Sequence, residues 1–87
     1  MDVFLRNVGI VPRRSLAQEA CRRGLIEIDS KPAKPSAQVR SGQKLTVRLG
    51  MKTREYIVLE VPPRPVPRAR RRECIQLVHE EEVGFSE

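Results

Sequence analysis

The stretch Arg13-Arg14-Ser15-Leu16-Ala17-Gln18-Glu19-Ala20-Cys21-Arg22-Arg23-Gly24-Leu25-Ile26-Glu27-Ile28 reads as a basic turn, a short capped helix, a glycine stop and a strand. Ser15 is suited to the N-cap, and Gln18 three residues later completes a capping-box pattern. Leu16, Ala17, Ala20 and Cys21 form one apolar face, with Gln18, Glu19, Arg22 and Arg23 away from it. Gly24 supplies the C-terminal stop, and Leu25–Ile28 follows as a first strand.

On the N-terminal side, Asp2–Val8 suits a first short helix with Val3, Phe4, Leu5 and Val8 as its apolar set. Asp2 favours its positive end, Gly9 ends it, and Pro12 restricts the connection. On the C-terminal side, Asp29-Ser30-Lys31-Pro32 is a turn and Ala33 begins a short return. Val39–Gln43 is another turn. Lys44–Leu49 alternates with Leu45, Val47 and Leu49 inward. Gly50–Thr53 connects to a further strand, Arg54–Val61. The fold class is therefore α+β, two short N-terminal helices packed on a small bent antiparallel sheet.

Pro62-Pro63-Arg64-Pro65-Val66-Pro67 suits neither a ladder nor a helix interior and reads as a stiff, extended linker. This divides the chain into a domain at 1–61, a Pro/Arg-rich linker at 62–72 and a tail at 73–87. Cys74, Leu77 and Val78 fall at helical spacing, so Glu73–His79 is expected as a short tail helix, with an acidic end that frays. There are no internal repeats.

Seventeen Lys and Arg face eleven Asp and Glu, a net charge of +6. Met1–Arg54 holds twelve basic and four acidic residues, +8, while the remainder holds five and seven, −2. A field concentrated in this way attracts polyanions, chiefly nucleic acid. No apolar segment of about twenty residues offers a membrane span, and Met1–Arg6 is too short and acidic for a secretory signal. Cys21 and Cys74 form no CxxC pair, so no metal set or disulfide framework is expected, and a reduced, cytoplasmic chain fits. His79, the one histidine, lies beside three glutamates and reads as solvated. With no Gly-rich phosphate loop, no nucleophile–base pair and no cofactor motif, the chain is not expected to be an enzyme.

Asp2–Leu5, Arg14–Ala17, Gly24–Ile28, Val39–Gly42 and Leu45–Val47 together resemble the S4 RNA-binding domain family, over roughly Asp2–Val47. The stand-alone layout with a short tail is similar to a group within it, the RqcP ribosome quality-control cofactors and their fifteen-kilodalton heat-shock relatives. The resemblance implies binding to the large ribosomal subunit carrying obstructing peptidyl-tRNA, with contacts to large-subunit rRNA and tRNA. It also implies support of C-terminal tailing of stalled nascent chains with a nascent-chain tailing factor as partner. The alternatives are a general structured-RNA or ribosome-recycling heat-shock-type factor, or a non-catalytic RNA-binding adaptor for a partner enzyme. Asp29-Ser30 stands where the family usually has Asn-Gly, Gly9 where the group is often basic, and Met1 alone where Arg-Leu commonly precedes the aspartate.

The start of the second helix has unpaired N–H groups and the positive end of a dipole, which suits a phosphate. Arg13 and Arg14 would add charge-assisted bonds. Ser15 either caps or binds phosphate with its hydroxyl. Gln18 and Arg22 extend the surface along one stripe, joined by Arg6. Arg23 either contacts RNA or pairs with Glu19, and Lys34, Arg40 and Lys44 either reach phosphates from loops or stay solvated. Phe4, Tyr56 and Phe85 are the only aromatics, so recognition of shaped RNA by phosphate and 2′-OH contacts is expected, not base stacking. The chain is expected to act as a monomer. Pro62–Arg72 is a plain linker, a protein-binding polyproline segment or a second RNA contact.

Overall fold

The computed structural model describes residues 1–82. The chain runs α1 (Asp2–Asn7), α2 (Arg14–Arg22), β1 (Ile26–Ile28), β2 (Lys31–Pro32), β3 (Lys44–Leu49), β4 (Lys52–Val58), a 3₁₀ segment (Arg68–Glu73) and β5 (Ile75–Glu82). The strands form one antiparallel sheet in the order β2-β1-β3-β4-β5. The expected α+β class, two short helices against an antiparallel sheet, is what the chain adopts.

Both helices end in the same way. After α1, the Gly9 N–H donates to Arg6 O and the Ile10 N–H to Leu5 O, with Gly9 at φ +79°. After α2, the Gly24 N–H donates to Cys21 O and the Leu25 N–H to Ala20 O, with Gly24 at φ +73°. This is the paired Schellman arrangement, which satisfies terminal carbonyls and turns the chain sharply. It folds α1 back beside α2 and sends α2 directly into β1.

Phe4 and Leu5 of α1, its C-cap Val8, and Ala17, Ala20 and Cys21 of α2 share one core with Ile26, Leu45, Val47 and Val58 of the sheet. In β3 the expected inward residues are placed as read, with Leu45 and Val47 buried and Leu49 partly so, but Thr46 between them is buried too, so burial does not alternate cleanly along the strand. Leu16, expected on the apolar face of α2, is instead 50% exposed. It borders a shallow apolar groove with Val11, Ala20, Leu25 and Leu49. The small faces of Ala17 and Ala20 bring α2 close to the core, and Leu16 falls outside that contact.

The capping expectation also needs correction. The N-cap is Arg13, in extended conformation, and no side chain caps α2. Ser15 lies inside the first turn, so its hydroxyl is not placed to cap, and Gln18 is drawn elsewhere.

The largest correction concerns the C-terminal third. Glu73–His79 is not a helix: Ile75–Glu82 is strand β5, paired antiparallel with β4 from Val58↔Ile75 to Lys52↔Glu82, with a bulge between Glu55 and Tyr56. Helical spacing of Cys74, Leu77 and Val78 was misleading because only Cys74 is buried. A strand here covers the β4 edge, which a helix would leave with unpaired backbone groups. The acidic end lies opposite basic residues: Glu80 pairs with Lys52 at 3.1 Å and Arg54 at 3.2 Å. Glu80–Glu82 therefore extend the sheet.

The segment expected as a stiff linker is docked. Pro62 is buried and its carbonyl accepts from Asn7 Nδ2 at 3.3 Å, while the Val66 N–H donates to Asn7 O at 3.0 Å. Val66 and Ile75 pack against the core beside Cys74. Val61 is thus not the last residue held by the fold. Phe85, one of the three aromatics, lies outside the described residues.

Candidate nucleic-acid interface

The site is organised around Asp2, a buried carboxylate. It accepts the Val3 N–H at 2.7 Å, Gln18 Nε2 at 2.9 Å and Arg14 Nε at 3.1 Å. Burial pushes its pKa up, but the hydrogen bonds from Gln18, Arg14 and Val3 outweigh that, and the carboxyl is held below the ordinary 3.8. One carboxylate therefore links the first turn of α1 to two successive turns of α2. Sequence reasoning had credited Asp2 only with the helix dipole, because its partners lie twelve and sixteen positions away.

This linkage divides the expected site residues. Gln18 spends its amide on Asp2 and is partly buried, so it positions α2 more than it presents a contact. Arg14 uses only Nε on Asp2, and its side chain is 56% exposed. Its two terminal nitrogens have no protein partner among the described residues. Asp2 therefore holds the guanidinium at the uncapped start of α2. Arg13 directly precedes it, exposed, and Ser15 follows, also exposed.

Arg22 and Arg23 are exposed at the other end of α2, and among the described residues neither has an acidic partner. The Glu19–Arg23 pair that sequence allowed does not form there. Arg6 is carried by α1. It is half-buried, donates from Nη2 to Asn7 Oδ1 at 3.2 Å, and has a buried Nε without a partner. Lys34 and Arg40 lie exposed on the connection between β2 and β3. Lys44, at the start of β3, is 3.9 Å from Glu55, and its N–H donates to Asp29 Oδ1 at 3.0 Å. The structure thus gathers Arg13, Arg14, Ser15 and Gln18 at one end of α2 and Arg22 and Arg23 at the other. It leaves Arg6, Lys34, Arg40 and Lys44 on other elements.

Neither cysteine is set up for chemistry. Cys21 and Cys74 are both buried free thiols, and burial pushes each pKa above the ordinary 9.0. Among the described residues no group of three or more His, Cys, Asp or Glu is arranged to hold a metal ion. No helix among them is long and apolar enough to cross a membrane.

Residues 1–45 match the S4 domain family. A relative in Helicobacter pylori strain J99, named RQC P-site tRNA stabilizing factor, is 36% identical over 69 residues, covering 78% of this chain and 82% of its own. A solution structure described as hypothetical protein HP1423 is 32% identical, with a TM-score of 0.78 over 92% of this chain and 96% of that one. Heat Shock Protein 15 of Vibrio cholerae superposes with a TM-score of 0.84 at 22% identity, covering 88% of this chain and 78% of that one, a likeness of fold.

Proposed function

The chain belongs to the S4 domain family, and from that premise we propose that it binds the large ribosomal subunit carrying obstructing peptidyl-tRNA. In this reading it contacts both rRNA and tRNA and supports ribosome-associated quality control, in which stalled nascent chains receive C-terminal tails. It acts as a cytoplasmic monomer without catalytic activity of its own, and a nascent-chain tailing factor supplies the chemistry. The observation that carries the reading is the uncapped start of α2 between exposed Arg13 and an Asp2-oriented Arg14, in a chain 36% identical to a relative named for P-site tRNA stabilisation.

The physical account follows from that geometry. The first N–H groups of α2 have no helical acceptor and sit at the positive end of the dipole. A phosphate there would accept these N–H groups together with the free terminal nitrogens of Arg14 and the guanidinium of Arg13. Arg22 and Arg23, one helix length away, would engage a second stretch of backbone. Such a rigid, charged stripe reads the shape of folded RNA through phosphates and 2′-OH groups. The higher identity lies with the quality-control relative, while Heat Shock Protein 15 shares the fold, which favours quality control over general recycling.

The test is crosslinking of the full chain to RNA in cell lysate, followed by sequencing of the bound fragments. Large-subunit rRNA enriched together with tRNA is expected, and the double substitution Arg13→Ala with Arg22→Ala should abolish that enrichment. Enrichment of mRNA or DNA instead would overturn the reading.

A further inference from the structure

Residues 64–72 carry Arg64, Arg68, Arg70, Arg71 and Arg72 and no acidic residue. Among the described residues only Arg70 has an acidic partner, Glu73 at 3.3 Å. The acidic residue placed to neutralise basic neighbours on β5, Glu80, is engaged by Lys52 and Arg54. Five guanidinium groups so close in sequence repel one another unless an anion is supplied from outside.

The cluster is held in place. Pro62 and Val66 are bonded to Asn7 at the end of α1, the Arg70 N–H donates to Pro67 O at 2.9 Å, and the Cys74 N–H donates to Arg71 O at 3.0 Å. The Arg71 guanidinium fills the space that a Cβ on Gly9 would take. Its Nε is buried without a partner, as is the Nε of Arg6 in the last turn of α1. From Gly9 only Ile10, Val11 and Pro12 intervene before Arg13. The cluster and the start of α2 therefore flank one short loop.

We propose that Arg64, Arg68 and Arg72, anchored by Arg71 against Gly9, form a second binding surface for the phosphodiester backbone of folded RNA. This rests on the RNA-binding reading above and extends it to the C-terminal segment. A polyproline-reading protein is the weaker occupant, since buried Pro62 and half-buried Val66 turn that segment against the fold. Arginine suits phosphate through its planar, bidentate fork, and because the segment is already docked, little ordering is needed on binding.

The test uses the full chain and labelled bulk tRNA, with binding followed from 50 to 200 mM salt. Three variants are compared with the unaltered chain: R64A/R68A/R72A, R13A/R22A, and a charge-matched control, K31A/R48A/K52A. Loss of three phosphate contacts flattens the log–log salt slope by roughly 2 to 3. Over that fourfold salt range, this makes the unaltered chain lose about 16- to 64-fold more affinity than the R64A/R68A/R72A variant. Flattening in R64A/R68A/R72A and not in the control supports the proposal. If R13A/R22A flattens the slope while R64A/R68A/R72A matches the control, the second surface is overturned alone, and the cluster is left to a protein partner. If neither changes the slope, or the unaltered chain does not bind tRNA, both readings fall.

Discussion

Arg14 Nε donates to Asp2 Oδ2 across 3.1 Å, joining an exposed arginine to a buried carboxylate. The same contact serves stability and places a guanidinium at the proposed phosphate site. Arg13, one residue earlier, is exposed and has no such tie among the described residues. The two arginines should separate in experiment. Arg14→Ala removes one of three donors from a buried carboxylate and is expected to cost about 1–2 kcal/mol, less than a fully buried pair because Gln18 and the Val3 N–H remain. Arg13→Ala should leave the melting temperature within about 2–4 °C of the parent, a surface change of under about 0.5 kcal/mol, while weakening RNA binding. Equal stability losses in the two variants would show that the Asp2 link carries no energy.

The Asp2 carboxyl is depressed below 3.8 by hydrogen bonds from Gln18, Arg14 and the Val3 N–H, against the upward push of burial. A lowered folded pKa means that the contribution to stability is complete above the ordinary value. It is lost as pH falls through the lower, folded value. Stability should therefore be level in this respect at neutral pH and decline below about pH 4. Asp2→Asn lacks this titration. Denaturant melts at pH 7 and pH 3 should show a smaller loss on acidification for Asp2→Asn than for the parent, and equal losses would assign the acid sensitivity to other carboxylates.

The elements legible in the sequence were those defined by near neighbours. Gly9 and Gly24 mark helix ends because each supplies the positive φ that a Schellman turn requires. Leu45 and Val47 were legible because they share the face of β3 that lies on the core, although Thr46 between them is buried as well. What was missed depends on partners far along the chain. Gln18 reads as the second half of a capping box until Asp2, sixteen positions back, takes its amide. Ile75–Glu82 has little apolar alternation, and its strand character comes from pairing with β4, where Lys52 and Arg54 meet Glu80. Arg71 against Gly9 could not be read from spacing, since it joins the end of α1 to a residue far along the chain. The site arginines of α2 were legible as charges, while the carboxylate that orients one of them was not.

The β1–β2 connection offers a third test. Asp29 and Ser30 both adopt positive φ, 51° and 71°, in the two-residue turn between Ile28 and Lys31. A type I′ turn demands this conformation at both central positions. Asp29 is compensated locally: its N–H donates to Lys44 O at 2.8 Å and its Oδ1 accepts the Lys44 N–H. No described hydrogen bond involves the Ser30 side chain, so Ser30 bears a left-handed backbone without local return. Ser30→Gly should raise stability by about 1 kcal/mol, and Asp29→Gly should not, because it loses the Lys44 contact. Chemical denaturation of the two variants decides this, and a destabilised Ser30→Gly would show that the turn is not strained.

Removal of 62–87 tests whether the C-terminal third is an appendage or part of the fold. The described part of that segment contributes buried Pro62 and Cys74, half-buried Val66 and Ile75, and the whole partner strand of β4. With the two half-buried side chains counted together as one, this burial is worth roughly 4.5–9 kcal/mol at about 1.5–3 kcal/mol per fully buried apolar residue. That is comparable to the stability expected of a domain this small, near the lower end of the usual range of about 5–15 kcal/mol. Truncation also bares the β4 edge, a template for pairing with other chains. The 1–61 fragment is therefore expected to melt without a cooperative transition or to aggregate, whereas Leu77→Ser, at a half-exposed site on β5, should leave the fold intact. A 1–61 fragment with a cooperative melt and native circular dichroism would restore the division at Val61, and it would reduce β5 to an accessory strand.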